Sequence, residues 1–137
     1  MNIVIKTAGI LATLLALSCG TVSAHTTESG KVTELMKKLL PDIPGKQVTV
    51  ITVDYAPGAS DPVHRHNAHA FVYVLEGSIV MGMKGGKEVT LKPGETFYED
   101  PDGIHLVGRN ASDTKPAKFL VFLIADKDAP LLVPVKD

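Results

Sequence analysis

The feature that most constrains the fold is a succession of short β-rich runs, each ended by a turn signal, that begins after Gly45. Residues 47–55 alternate their side chains between two faces, as a strand does. Pro-Gly, Glu-Gly and Gly-Gly pairs separate the later runs, which lie at residues 63–66, 71–75, 78–83, 88–91, 96–99, 104–107 and 117–124. Eight or nine such strands, with almost no helix, predict an all-β fold built as an antiparallel sandwich or barrel.

The first 24 residues are typical of an export signal. Lys6 is their only charged residue, an apolar run follows at residues 8–17, and small residues lead to Ala24. We predict cleavage after Ala24, which would place the mature chain in the periplasm or outside the cell with no membrane span. The alternatives are an uncleaved anchor and a lipoprotein acylated at Cys19, although lipoprotein signals usually carry Leu where this chain has Ala16. Cleavage would also remove the only cysteine, leaving no thiol ligand and no disulfide.

The remaining chain divides into three predicted parts. Residues 25–45 form an N-terminal arm with a short amphipathic helix over residues 32–40, residues 46–125 form the β-domain, and residues 126–137 form a tail on its surface. The helix is predicted from apolar residues at three- and four-residue spacing, and Pro41 would end it. Those apolar residues are Val32, Leu35, Met36, Leu39 and Leu40.

Composition excludes one class of function. The chain of 137 residues has 45% hydrophobic and 21% charged residues and a formal charge of −1, so it is an ordinary single globular domain. It offers no basic field for a polyanion, and we therefore predict no nucleic-acid partner.

Most of the histidines lie in two places. His64, His66 and His69 fall within six residues directly before an apolar run, and His105 lies in a later turn-rich segment; the chain has five histidines in all. Residues two apart on a strand project from one face, so the imidazoles of His64 and His66 can converge on one ion. A histidine from another strand, His105, would then fix the ion in three dimensions. This pattern predicts a mononuclear metal site.

These histidines belong to two segments that resemble the sequence motifs of the cupin family. The first family motif runs Gly, five residues, His-x-His, three or four residues, Glu, six residues, Gly. In this chain Gly58, His64, His66 and Gly77 match it, and Ala70 stands where the glutamate is expected. The second motif is matched in order, with spacings off by one, by residues Gly94, Pro101, Gly103, His105 and Asn110.

The resemblance covers residues 46–125 and implies a single cupin double-stranded β-helix, or jelly-roll barrel. It implies His64, His66 and His105 as metal ligands. Because Ala70 replaces the glutamate, His69 is a candidate fourth ligand, although regular alternation would point it outward unless a turn at residues 67–68 resets the phase. The alternative for His69 is a residue that lines the pocket or contacts a ligand.

A site of neutral imidazoles would leave the charge of a divalent ion uncompensated by protein. It would suit one divalent transition metal (Fe, Ni, Cu, Zn or Mn) rather than Mg or Ca, and it would favour an anionic or oxygen-rich small-molecule ligand. Tyr98 and Glu99 are candidates to line the barrel mouth, one of them as an acid or base, but a hydrogen bond within the hairpin is the simpler role. Arg65 is expected to point outward into a surface ion pair.

The strand at residues 71–75 predicts a second surface. Ala70, Val72 and Val74 should share the His66 face and line an apolar pocket, so a second set should face away from the barrel. That outward set, Phe71, Tyr73 and Leu75, needs cover from a second sheet or a second subunit, and of the two we predict a homodimer.

Three functions fit these features. The first is a metal-dependent cupin enzyme, a dioxygenase, isomerase or hydrolase acting on a small oxygen-rich molecule. The second is a cupin that binds a metal or small ligand without turning it over. The third is a structural, dimerising barrel with an incidental metal. The sequence names no substrate and no catalytic residue.

Overall fold

The computed structural model of the protein describes residues 28–136, and these residues form β-strands and connecting turns with no helix. The ten strands are β1 Lys31–Leu39, β2 Lys46–Tyr55, β3 His64–Arg65, β4 Ala68–Glu76, β5 Ile79–Met83, β6 Val89–Leu91, β7 Thr96–Glu99, β8 His105–Asn110, β9 Ala117–Asp126 and β10 Val133–Pro134. The all-β prediction is confirmed. The predicted export signal at residues 1–24 lies outside the described residues. Within residues 28–136 there is no helix long and apolar enough to cross a membrane.

The strands form two five-stranded sheets. One sheet has the order β1-β2-β9-β4-β7 and the other the order β10-β3-β8-β5-β6. Every neighbouring pair of strands is antiparallel. Because strands that are distant in sequence lie side by side, the register between them, and not the local pattern, decides which side chains meet.

Alternation along β4 separates the core from the surface. Its buried residues are Ala68, Ala70, Val72 and Val74, whereas Phe71 is 45% exposed and Tyr73 and Leu75 are also exposed. The inward set packs with residues of β2, β5 and β9, among them Ile51, Val53, Tyr55, Ile79, Met81, Phe119, Val121 and Leu123. The predicted division of this strand into an inner and an outer face is therefore confirmed.

A glycine closes the turn between β4 and β5. Gly77 has a φ of 68°, in the left-handed region that favours glycine. A Cβ atom at this position would lie 2.8 Å from the Cα atom of Ala117. The turn can therefore pass close to the start of β9 only because residue 77 has no side chain.

The predicted helix over residues 32–40 is wrong, because this segment is strand β1. It pairs with β2 from Lys31↔Asp54 to Leu39↔Gln47, with an irregularity between Glu34 and Met36. All nine of its residues are exposed, so the helical spacing of its apolar residues marks no buried face. Hydrogen bonding to the open edge of β2 decided the conformation, since tertiary pairing overrides weak local propensity.

The C-terminal segment returns to the barrel. After β9 ends at Asp126, the chain folds back so that β10 pairs with β3, with Val133 opposite Arg65 and Pro134 opposite His64. Leu131 and Leu132 line a cavity whose other walls come from both sheets. We call residues 127–136 the C-terminal strap, because they form part of the cavity wall.

Candidate metal centre

Four side chains converge at one end of the cavity. They are His64, His66, Glu99 and His105, and each offers one nitrogen or oxygen atom such that all four atoms lie within 4.8 Å of one another. Of the four histidines singled out in the sequence, the structure therefore brings three together and adds a glutamate.

Two of the histidines are held by neighbouring strands. His64 on β3 lies directly opposite His105 on β8 in the antiparallel ladder, so both imidazoles project from the same face of the sheet. His66 follows directly after β3, and the next residue, Asn67, has a φ of 50°. Asn67 therefore has a left-handed conformation, which Asn tolerates better than most residues, and it turns the chain from β3 into β4.

The carboxylate comes from the other sheet. Glu99 ends β7, only 3% of it is exposed, and it lies opposite Ala70 of β4. Its Oε2 atom is 3.5 Å from Nε2 of His66 and 3.6 Å from Nδ1 of His105. Residues paired across an antiparallel ladder share a face, so Glu99 supplies a carboxylate to the place that Ala70 leaves without one.

Hydrogen bonds to main-chain carbonyls fix the tautomers of His64 and His66. Nδ1 of His64 donates to the carbonyl oxygen of Pro62 at 2.7 Å, and Nδ1 of His66 donates to that of Leu131 at 2.5 Å. In a neutral imidazole the other nitrogen is then an unprotonated acceptor. The two Nε2 atoms lie 3.2 Å apart, so in the neutral rings two lone pairs face each other, an arrangement that a shared cation stabilises.

His105 completes the same arrangement. Its Nδ1 atom is 3.4 Å from Nε2 of His64, which is too long for a strong hydrogen bond. Its Nε2 atom is buried and has no hydrogen-bond partner among the described residues. Nδ1 is the nitrogen that faces the other three side chains, 3.6 Å from Oε2 of Glu99, and without a strong hydrogen bond it fits a site that is completed by a metal ion.

Burial controls the ionisation of the site. It raises the pKa of Glu99 to about 7, with a further contribution from the negative charge of Asp61. Burial likewise lowers the pKa of His105 to about 4, and repulsion from His64 and His66 adds to this effect. The pKa of His66 is also lowered, chiefly by burial. Near neutral pH the imidazoles of His66 and His105 are therefore unprotonated and free to bind a cation, while the carboxyl group of Glu99 is close to its own titration point.

The donor set corrects one expectation. A site of neutral imidazoles alone was predicted, but Glu99 contributes a carboxylate, so one charge of a divalent ion would be balanced by protein once Glu99 ionises. Three imidazoles and one carboxylate suit first-row transition metals, and they suit Mg or Ca poorly because those ions prefer oxygen ligands throughout. Sequence reasoning weighed Glu99 only as a residue of the barrel mouth. Glu99 lies two residues after Phe97 on β7, so the two side chains share the inner face of the strand. The contact between Glu99 and the histidines, however, depends on the register of the strands.

His69 lies elsewhere. It is exposed on the outer face of β4, where Nδ1 is 2.7 Å from the hydroxyl oxygen of Tyr98 and the two rings stack. It is not among the residues whose ligand atoms converge. The left-handed turn at Asn67 does not shift the alternation of β4 so that His69 points inward. Ala68 and Ala70, the neighbours of His69 in sequence, are the residues that are buried.

The converging side chains lie at one end of a cavity of about 400 Å³. Its walls are mostly apolar and come from strands of both sheets and from the C-terminal strap. Asp61 also lines it; the carboxylate of Asp61 accepts hydrogen bonds from the hydroxyl of Tyr55 and, at 2.9 Å, from the amide of Gly30. Ala70, Val72 and Val74, which were expected to line the pocket, belong instead to the packed core beneath it.

Asn110, the last residue of the second motif, has a structural role. Its buried side-chain amide donates to the carbonyl oxygens of Ala56 at 3.0 Å and Lys115 at 2.8 Å. Its side-chain oxygen accepts a hydrogen bond from the amide of Ser112 at 2.9 Å. These bonds tie the end of β8 to the loops before β3 and before β9, so Asn110 stabilises the frame that carries His105.

Two antiparallel sheets with a cluster of histidines and a glutamate between them define a small β-barrel with a side-chain cluster that could hold a metal ion. The cupin domain family model matches residues 51–123, which is more than half of the chain. The chain therefore belongs to the cupin family, as the sequence motifs predicted.

Curated relatives match over part of their length. The chain is 34% identical over 86 residues to the cupin-domain-containing oxidoreductase srdB of Neurospora crassa, a match covering 63% of this chain and 42% of the relative. It is 26% identical over 76 residues to the cupin-domain-containing oxidoreductase fogC of Aspergillus ruber, covering 56% and 37%. The chain thus spans less than half of the length of either relative.

Solved structures show the same fold. An oxalate oxidase in complex with the substrate analogue glycolate superposes with a TM-score of 0.60 and 27% identity over 81% of this chain and 57% of its own. The DMSP lyase DddQ from Ruegeria pomeroyi superposes with a TM-score of 0.65 and 20% identity, and the match covers 89% of this chain and 59% of the lyase. A cupin domain from Bordetella pertussis superposes with a TM-score of 0.54 and 21% identity, and the match covers 72% of this chain and 95% of that domain.

Proposed function

We propose that this chain is an exported cupin metalloenzyme that holds one divalent transition metal ion at His64, His66, Glu99 and His105 and acts as a small-molecule oxidoreductase. The observation that carries the metal site is the 3.2 Å approach of two acceptor nitrogens, on His64 and His66, beside a buried carboxylate. Redox chemistry is supported by the proteins to which the chain is similar, which include two oxidoreductases and an oxalate oxidase.

The residues of this chain have distinct roles in the proposal. Three imidazoles and Glu99 bind the ion, which when bound would act as a Lewis acid or redox centre for a ligand in an open position. The carbonyl oxygens of Pro62 and Leu131 orient two of the imidazoles. The apolar cavity walls exclude water from the ligand. Fe, Mn, Ni, Cu and Zn are all compatible with this donor set.

Elemental analysis of the purified full chain tests the metal site. We expect close to one equivalent of a transition metal, native or after reconstitution, and we expect His64→Ala and His105→Ala each to abolish it. Arg65→Ala is the matched control, because Arg65 is exposed and lies between two of the ligands in sequence. Retention of full metal occupancy by both histidine variants would refute the proposed site.

A binding protein without turnover is the second candidate. It is favoured by the cavity itself, where Asp61 is the only ionisable side chain outside the four proposed ligands among residues 28–136, and Asp61 is already engaged by Tyr55. Oxygen-consumption measurements on metal-loaded protein separate the two. Ligand binding without oxygen uptake or product would favour capture over catalysis.

Export is proposed from the sequence pattern of residues 1–24, with removal after Ala24 and residence in the periplasm or outside the cell. Mass spectrometry of protein recovered after secretion tests it. A mature N-terminus at His25 is expected. A lipid-modified Cys19 or an intact leader in the membrane fraction would contradict it.

A homodimer is proposed from the outer face of the sheet that contains β4. Phe71, Tyr73, Tyr98 and Phe122 are exposed there, and the ring centroids of Phe71 and Tyr98 lie 5.2 Å apart. Such a contiguous aromatic surface favours association. Light scattering should give a dimer for the wild type and a monomer for Phe71→Lys, whereas Leu106→Lys, an exposed substitution on the other sheet, should stay dimeric. A monomeric wild type would remove both this proposal and the structural, dimerising barrel.

A further inference from the structure

The cavity next to the four converging side chains is polar at the end that they occupy and apolar over most of its remaining wall. Its walls are formed by apolar side chains of β2, β5, β9 and the C-terminal strap, chiefly Ile51, Val53, Met81, Phe119, Val121 and Leu131. Its volume of about 400 Å³ lies within the range of about 300–1,000 Å³ typical of sites for small organic ligands. The space is therefore larger than a two-carbon acid needs, and it offers hydrocarbon contacts away from the metal-binding end.

Charge in the cavity is of one sign. Among residues 28–136, no Lys or Arg lines it, whereas the carboxylates of Glu99 and Asp61 do. Asp61 is held in place by Tyr55 and Gly30 and lines the same cavity as the proposed ligands. A ligand whose two carboxylates are separated by several methylene groups could place only one of them on the metal. The second would meet apolar walls or a like charge, and burying an unpaired charge is costly.

We infer that the cavity takes a monoanion with a single oxygen-anion head, such as a carboxylate or enolate, and an apolar body, and that it discriminates against dicarboxylates of similar length, such as hexanedioate. This inference rests on the proposed metal site, which receives the head. The body packs between Ile51 of β2 and Val121 of β9, and Leu131 of the strap covers it. The charge and shape of the cavity, and not the metal alone, set the specificity.

Calorimetric titration of the cobalt(II)-loaded full chain tests the inference, after metal content has been measured. The probes are acetate, butanoate, hexanoate, hexanedioate and hexan-1-ol. We expect affinity to rise up to about fourfold per methylene from acetate to hexanoate, since each buried methylene contributes about that factor. Hexanedioate, whose second carboxylate would meet the apolar walls, should bind no tighter than butanoate. Hexan-1-ol, which has the same body without the anion, should bind at least tenfold more weakly than hexanoate.

A pair of matched variants on β9 assigns the effect to the cavity wall. Val121→Thr keeps the shape of a cavity residue but makes it polar, and it should weaken hexanoate about fivefold while leaving acetate unchanged. Leu120→Thr, on the outer face of the same strand, should change neither. Circular dichroism and metal content show that both variants remain folded and loaded.

The outcomes separate the two proposals. Absence of bound metal after reconstitution defeats the proposed function, and the inference with it. Full metal loading combined with affinities independent of chain length, or with hexanedioate as the tightest probe, overturns the inference alone. Equal binding of hexanoate to metal-free protein also overturns it, because the head would then not reach the metal.

Discussion

Glu99 lies directly opposite Ala70 across the antiparallel ladder of β4 and β7. Ala70 occupies the place of the glutamate in the cupin motif, and Glu99 brings a carboxylate to the same face from the neighbouring strand. Cross-strand partners have Cβ atoms about 5 Å apart, a distance that one glutamate side chain can span. The donor set of three imidazoles and one carboxylate is therefore retained although the motif has lost its glutamate.

Moving the carboxylate back across the ladder should restore a damaged site. We expect Glu99→Ala to weaken metal binding at least about tenfold, which corresponds to about 1.4 kcal/mol. Adding Ala70→Glu to that variant should recover part of the loss, because the new side chain enters the vacated volume. Competition with a chromophoric chelator measures both affinities, with Glu76→Ala, at the exposed end of β4, as the control. No loss in Glu99→Ala would show that the carboxylate does not bind the ion.

Metal affinity should depend on pH through Glu99. Its raised pKa, about 7, means that the folded protein holds a proton there that a metal ion must displace, whereas His105, with a pKa of about 4, is already unprotonated at that pH. We expect affinity to rise between about pH 6 and 8 and Glu99→Gln to abolish most of that rise. Calorimetry at several pH values checks this. An equally steep rise in Glu99→Gln would place the titrating group elsewhere.

The stability of the metal-free protein should show the opposite dependence at this residue. Because the folded pKa of Glu99 lies above its unfolded value of 4.5, its contribution is fully present below pH 4.5 and is lost as pH rises through about 7. Replacing Glu99 by Gln removes that loss. The free energy of unfolding of Glu99→Gln relative to wild type, from urea denaturation with a chelator present, should therefore increase between pH 4.5 and 7.5. A constant difference would contradict the raised pKa.

His69 and His66 form a contrasting pair. His66 is one of the converging residues, whereas His69 contacts Tyr98 on the outer face of β4. We expect His66→Ala to lose bound metal and His69→Ala to retain one equivalent. Elemental analysis of the two variants, purified in parallel, decides between them. Loss of metal from His69→Ala with the fold intact would return that residue to the ligand set.

The C-terminal strap should support the metal site through its backbone. Leu131 accepts the hydrogen bond of His66 with its carbonyl oxygen, and its side chain lines the cavity. Ending the chain after Lys127 should weaken metal binding about 10- to 100-fold, the usual effect of losing a group that orients a ligand. Leu131→Ala keeps the carbonyl group and should leave metal affinity within about threefold. Equal losses in the two variants would mean that the side chain, not the carbonyl, matters.

The sequence by itself determined the strand pattern after residue 46, the inner and outer faces of β4, and the three histidines that meet. Each of these follows from periodicity or from short motifs, because side chains two apart on a strand share a face whatever the rest of the chain does. The motif glycines Gly58 and Gly77 likewise mark left-handed turns, with φ of 73° and 68°.

Only the tertiary structure decided the rest. Residues 32–40 have helical spacing, but the chain forms strand β1 there, since the edge of β2 offered hydrogen bonds along its length. Glu99 joined the histidines through its register with Ala70, and Leu131 reached His66 by the return of the strap. Both contacts join residues at least 29 positions apart in sequence. Register and chain return are set by packing over the whole barrel, and no local pattern encodes them.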